Sequence, residues 1–223
     1  MKIVAVIPAR GGSKGIPAKN LQKLAGRTLV AHRVEVARKS KCNEIYVSTD
    51  DDSIKSECAN LLVKVIDRPK ELAQDDSSTD AVLDHAISQL GLMEDDYVVL
   101  LQPTSPFIST QIIDRCINLL IENPDLNSVI TLNFGHTFVW ELQEKFIQPI
   151  NHNRKLRLRR QDMPVSGIET GGCYVFRVSK FLETKVRFPE PTGGISVNQL
   201  EALDIDTLDD LRLAQKLVSN FYD

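Results

Sequence analysis

The stretch KIVAVIPARGGSKGIPAKN, running from Lys2 to Asn20, decides the reading of this chain. Its first part is an apolar, β-branched run that ends at Pro8. A run without polar alternation suits a strand buried on both faces of a sheet. The second part interleaves three glycines (Gly11, Gly12 and Gly15) with three cations (Arg10, Lys14 and Lys19). Glycines let backbone amides approach an anion closely and open conformations closed to other residues. In an open α/β sheet, ligands gather at the carboxyl ends of strands, where this loop belongs. Three cations suit a triphosphate better than a dinucleotide. Two known phosphate loops are excluded: there is no GxxxxGK followed by Ser or Thr, and no GxGxxG opening straight into a helix. The plainer alternative is a surface turn with solvated lysines.

Working outward, strand-length apolar runs alternate with amphipathic helical stretches. Strands are predicted at Glu44–Ser48, Lys64–Ile66, Tyr97–Leu101, Ser128–Asn133 and Gly172–Val178. Helices are predicted at Thr28–Lys39, Asp51–Leu62, Thr79–Leu90 (capped by Ser77, Ser78 or Thr79), Ser109–Glu122 and Thr207–Phe221. This alternation calls for a parallel sheet covered on both faces and joined by right-handed crossovers. The rhythm breaks between His136 and Met163, a polar, basic and aromatic stretch without a sustained period. A segment of that length is either an arm or a binding loop. One domain over residues 1–223, with an arm inserted at about 136–170, is the simplest account.

Composition narrows the function. A net charge of −3 gives no global basic field, which argues against nucleic-acid binding. No segment reaches the roughly 20 apolar residues that span a bilayer, and the N-terminal apolar run is too short for a signal peptide. The four cysteines (Cys42, Cys58, Cys116 and Cys173) are dispersed, without a CxxC or a His at metal-ligand spacing. Reduced thiols in a cytoplasmic protein follow, and a structural zinc does not.

PARGGSKGIPAKN resembles the nucleotide-binding signature of the acylneuraminate cytidylyltransferases, the CMP-sialic acid synthetases, and of their bacterial relatives for legionaminic and pseudaminic acid. The Kdo cytidylyltransferases share that fold, but their loop looks like ARxxSxRLPGK, which this chain lacks. The resemblance implies a doubly wound, mostly parallel α/β sheet of the nucleotidyltransferase (GT-A-like, Rossmann-like) type. It also implies transfer of CMP from CTP to the anomeric hydroxyl of a nonulosonic sugar acid, with release of pyrophosphate. By position, Arg10 and Lys19 would hold the CTP phosphates, helped by Gly12, Ser13, Lys14 and the loop amides, with Asn20 near the nucleotide.

Four further motifs extend the resemblance. RPKELAQD (Arg68–Asp75) follows the third predicted strand; read alone, Arg68 sits in a surface turn, whereas RPxxLAxD in the family places Arg68 and Ser77 around the base. QPTSP (Gln102–Pro106) ends the most apolar strand, and its glutamine corresponds to one that contacts the sugar acid. RRQD (Arg159–Asp162) closes the basic stretch. Arginine matches carboxylate geometry with a bidentate fork, although a solvated arm or a subunit contact would use the same residues. In the family the RxQD element, here with Arg160 preferred over Arg159 and followed by Gln161, lies beside the sugar acid, and the preceding segment crosses to a partner subunit. A homodimer with arm exchange is therefore implied. Glu169–Gly172 (ETGG) stands where sialic acid enzymes often read ENG, so Thr170 marks a departure that bears on the particular sugar.

The last motif is DIDT, Asp204–Thr207. In an extended segment its two carboxylates share one face about 6.5 to 7 Å apart. That spacing suits magnesium, a hard cation that takes oxygen ligands; alternatively Asp206 or Thr207 caps the following helix. The resemblance favours the metal pair, with Asp206 catalytic beside Arg10 and Lys19. Asp209 and Asp210 are assigned to the helix dipole. No Ser-His-Asp or Cys-His set is evident.

Overall fold

The computed structural model of the protein describes residues 1–156 and 158–218. Ile3–Pro8 (β1) is an interior strand of a seven-stranded sheet. Its alternate residues serve two cores. Ile3, Ala5 and Ile7 join one buried cluster and Val4 and Val6 the other, which is why the run carries no polar residue.

Two short strands, β2 (Lys23–Leu24) and β3 (Arg27–Thr28), pair before helix α1 (Leu29–Lys39). Then follow β4 (Glu44–Thr49), α2 (Asp52–Asn60), β5 (Lys64–Asp67), α3 (Thr79–Leu90), β6 (Tyr97–Leu101) and α4 (Thr110–Glu122). Thr28, Asp51, Ser78 and Ser109 each accept a backbone N–H at a helix start, the expected duty of short polar side chains there. Ser78 is the cap of α3, so Thr79 is its first helical residue rather than its cap.

The second half of the chain departs further from expectation. Ser128–Gly135 is β7, and the predicted strand at Gly172 begins earlier, so that β10 spans Ser166–Arg177. It runs antiparallel to both β6 and β7, with a register irregularity between Glu169 and Tyr174. Between β7 and β10 lies a small separate hairpin, β8 (Trp140–Gln143) and β9 (Phe146–Pro149). Helix α5 (Val178–Thr184), strand β11 (Thr192–Ser196) and helix α6 (Leu208–Leu217) complete the described chain. The predicted end of the terminal helix, residues 219–221, lies outside the described residues.

Sheet order is β11-β7-β10-β6-β1-β4-β5, all parallel except β10. The chain winds one way from β1 to β4 and β5, and β6 adds on the other side. The switch between β1 and β6 opens a crevice at their carboxyl ends. A third apolar cluster lies beneath that crevice and gathers Ile16, Leu24, Leu29, Phe107, Ile205, Leu211 and Ala214.

Phe176 on β10 is fully buried and stacks on Phe181 of α5, with ring centroids 5.2 Å apart. Replacing it by alanine should cost about 3–5 kcal/mol, the usual range for emptying a buried aromatic site. Urea denaturation of Phe176→Ala measures this; a change below about 1 kcal/mol would mean that α5 and the sheet do not share one core.

Candidate active site

Segments following three parallel strands meet at the crevice. The loop after β1 brings Arg10, Ser13, Lys14, Lys19 and Asn20, and the loop after β5 brings Arg68, Asp75 and Ser77. Gln102 and Thr104 come from the end of β6, and Asp206 precedes α6. Together they line a cavity of about 420 Å³, with Leu72 and Val82 adding apolar wall. Nine of the expected site residues therefore converge.

Within the loop the glycines act differently from the expectation. None of Gly11, Gly12 and Gly15 has a positive φ, so space rather than conformational licence explains them. A side chain at Gly11 would meet the Asp51 carboxylate at 2.5 Å, and its N–H already donates to Asp50 Oδ1 at 3.0 Å. At Gly15 the obstacle is the carbonyl oxygen of Asp206, 2.5 Å from where a Cβ would lie. Gly12, with Arg10, Ser13, Lys14 and Asp75, borders an adjoining hollow. Among the described residues nothing lies within 4 Å of its missing Cβ, so this glycine alone of the three faces open space.

Several polar side chains turn toward the protein. Buried Asn20 donates from Nδ2 to the carbonyl of Arg10 at 2.9 Å and pins the loop. Arg68 is buried too, donating to Ser48 Oγ at 3.2 Å and Ser48 O at 2.6 Å. Burial pushes its guanidinium down to about 10, with Asp50 opposing the shift and Arg10 adding to it. Ser77 Oγ donates to Glu71 O and accepts from Gln74 N, closing the 71–77 turn.

On the opposite wall Lys19 Nζ reaches Asp206 Oδ1 at 3.0 Å and Ile205 O at 3.1 Å. Ile205 is buried between the two aspartates; Asp206 lines the cavity, whereas Asp204 is not among its lining residues and sits behind it against Ser105. Of the two residues offered as a cap, the structure uses Thr207. Thr207 caps α6 in a reciprocal capping box with Asp210, leaving Asp206 to Lys19. Asp204 accepts from Ser105 Oγ at 3.2 Å. Burial holds its carboxyl above the usual range, and the Asp206 charge adds to this. These groups fit magnesium: they are hard oxygen donors, and a divalent cation would offset the burial of Asp204 and the repulsion between the two carboxylates. Among the described residues no group of three or more His, Cys, Asp or Glu is placed to hold a metal. Two carboxylates would leave the remaining shell to water and phosphate oxygens.

Two expectations fall elsewhere. Arg160 and Gln161 lie exposed on a short 3-10 turn outside the cavity, where Arg159 pairs with Asp162. Thr170 is buried, its hydroxyl 2.7 Å from that of Thr131. The departure from ENG thus sits at the β10 irregularity, with its side chain bonded within the sheet and not among the residues that line the cavity. Its neighbour Gly171, at φ 71°, lies against the Gln102 amide instead. A second cavity, about 590 Å³, lies between α1 and residues 106–111. Its charges are largely self-neutralised, Arg27 and Lys39 both pairing with Glu35.

Comparison with known proteins identifies the family of the chain. Residues 4–162 match the model of a family described as cytidylyltransferase. The chain is 32% identical to the CMP-N,N'-diacetyllegionaminic acid synthase of Legionella pneumophila, over 98% of this chain and 97% of that one. It is 34% identical to the 8-amino-3,8-dideoxy-manno-octulosonate cytidylyltransferase of Shewanella piezotolerans, over 95% and 85%. Among solved structures, a CMP:2-keto-3-deoxy-manno-octonic acid synthetase complexed with CTP shares the fold, with a TM-score of 0.73 at 19% identity over 99% of both chains. The chain belongs to the cytidylyltransferase family, nucleotidyltransferases that use CTP as donor.

Gly15→Ala should part the cationic loop from the aspartate segment. A displacement near 1 Å is expected to slow pyrophosphate release from CTP by about 100-fold, and a rate within about twofold of wild type would refute this packing role. Asp204→Asn, studied in a chelator, should raise Tm at neutral pH. A carboxyl whose folded pKa is raised is destabilising once ionised, so the gain should vanish as pH falls below the ordinary Asp value of about 3.9.

Proposed function

We propose that the chain activates a nonulosonic sugar acid: its anomeric hydroxyl attacks the α-phosphorus of CTP, and pyrophosphate leaves. Phosphoryl chemistry of this kind asks for in-line positioning and charge stabilisation rather than a covalent intermediate. Arg10, Lys14 and Lys19 would neutralise the departing pyrophosphate. Ser13 and the free space at Gly12 would allow the loop backbone close to the phosphates. Arg68, Ser77 and the apolar wall of Leu72 and Val82 would bound the base and ribose. Magnesium held by Asp204 and Asp206 would polarise the α-phosphate and offset its charge.

The acceptor would lie toward Gln102, whose amide stands between the cavity and Gly171. Its carboxylate would need a cation of its own, beyond those proposed for the nucleotide. Arg160, with Gln161, would provide it from the arm of a second subunit, since both lie outside their own cavity. Exposed Trp140, Leu142, Phe146 and Ile147 on the hairpin offer apolar surface for a homodimer contact. No helix among the described residues is long and apolar enough to cross a membrane, and a cytoplasmic site of action is proposed.

What carries the nonulosonate reading is the loop sequence PARGGSKGIPAKN, together with a full-length match to a legionaminic acid synthase. An eight-carbon acceptor is the second reading, supported by the Shewanella relative at 34% identity. Pyrophosphate release from CTP with magnesium, measured against N-acetylneuraminic, legionaminic and pseudaminic acids, Kdo and 8-amino-3,8-dideoxy-manno-octulosonate, separates them. One nine-carbon acid should exceed both octulosonates in kcat/KM by at least about tenfold, the discrimination one or two pocket contacts supply. A preference for an octulosonate would overturn the reading.

A further inference from the structure

Two cations of the loop after β1 are already engaged across the cavity mouth. Asp75 bridges them, with Oδ1 2.9 Å from Arg10 Nη2 and Oδ2 3.0 Å from Lys14 Nζ. Arg10 also donates from Nη1 to the carbonyl of Ala73 at 3.3 Å. This bridge joins loops that follow different strands, β1 and β5. The Asp75 side chain remains 44% exposed, so burial does not force the pairing. It is delivered by a braced turn, in which Ser77 ties Glu71 to Gln74 and Gln74 Nε2 donates to Lys70 O at 2.7 Å. One carboxylate thus places one oxygen on each cation, as two oxygens of a phosphate chain would.

We propose that Asp75 is a specificity-determining residue that stands in for phosphate, holding the seat between Arg10 and Lys14 until a polyphosphate displaces it. The proposal rests on reading this cavity as the CTP site. Any anion entering must outcompete a tethered carboxylate for both cations at once. Inorganic phosphate gains little from that exchange, whereas a triphosphate brings more charge and can engage Lys19 as well. After reaction the same carboxylate is poised to reclaim Arg10 and Lys14, which favours departure of pyrophosphate. Displacement also frees Arg10 from Ala73, so ligand entry loosens the 73–75 segment.

The test compares binding of inorganic phosphate and pyrophosphate to the full-length wild type, Asp75→Asn, Asp75→Ser and Asp75→Glu by titration calorimetry without metal. Both neutral variants should bind phosphate and pyrophosphate about three- to tenfold tighter, the scale of losing two partly exposed ion pairs as competitors. The gain should shrink at high salt, and Asp75→Glu should keep affinities near wild type. Were Asp75 only a structural tie, both neutral variants would bind more weakly and melt lower. Weaker, unchanged or undetectable binding to the neutral variants overturns the proposal; should one variant fail to fold, the other decides. No CTP or sugar acid enters this assay. If the wild type turned over no CTP and the neutral variants still gained phosphate affinity, the functional reading would fall and the role of Asp75 would stand. If the wild type were active and its neutral variants gained nothing, the functional reading would stand and the role of Asp75 would fall.

Discussion

Everything at the crevice depends on two isoleucines sharing one apolar cluster. Ile16 sits in the middle of the cationic loop and Ile205 between the two aspartates, and both are fully buried together above α6. Burying each side chain contributes roughly 1.5–3 kcal/mol. That is enough to hold two segments far apart in sequence at a spacing neither would keep alone. The approach is so close that Gly15 has no room for a Cβ beside the Asp206 carbonyl. Positioning is thus done by apolar residues that do not line the cavity themselves, which leaves the polar side chains beside them available for chemistry.

Those polar side chains form a cavity whose charges are internally matched. Lys19 pairs with Asp206, and Arg10 and Lys14 with Asp75. Buried Arg68 lies within the influence of both Asp50 and Arg10. Catalysis in such a site would be an exchange of partners: phosphate oxygens take the cations, and the released carboxylates face metal or solvent. Matching of this kind keeps a crevice rich in like charges from repelling itself apart before the nucleotide arrives. Arg68 is the exception, since its hydrogen bonds to Ser48 tie it to the end of β4. It shapes the cavity wall from a fixed position.

Much of this arrangement was legible in the sequence, for identifiable reasons. The runs at β1 and β6 are apolar on both faces, and the main helices carry side-chain caps, so period and punctuation agreed. A parallel sheet covered on both faces followed from strand and helix alternation, and its doubly wound type from the family resemblance of the loop. What was missed lacked a local signal. The β8–β9 hairpin turns through Glu144 at φ 44°, without the Asn-Gly or Gly-Gly pair that usually announces a two-residue turn. Strand β11 reads TGGIS, and its glycines look like a loop. A side chain at Gly193 or Gly194 would crowd the end of Leu126 or Leu132, a contact made only in the folded chain. At the site, sequence named the polar residues but not where they point. Asn20 and Ser77 serve the loops that carry them, Thr170 serves the sheet, and Asp75 gave no sign that it would bridge two cations. Such choices are made by tertiary contacts.

The central claim is that CTP is bound by the loop after β1, the turn after β5 and the aspartate segment before α6. Backbone hydrogen–deuterium exchange with and without CTP and magnesium tests it directly. Slower exchange is expected for residues 10–20, 68–77 and 204–206, with the cavity beside α1 unchanged. Protection centred on residues 25–39 and 106–111, with residues 10–20 unaffected, would contradict it.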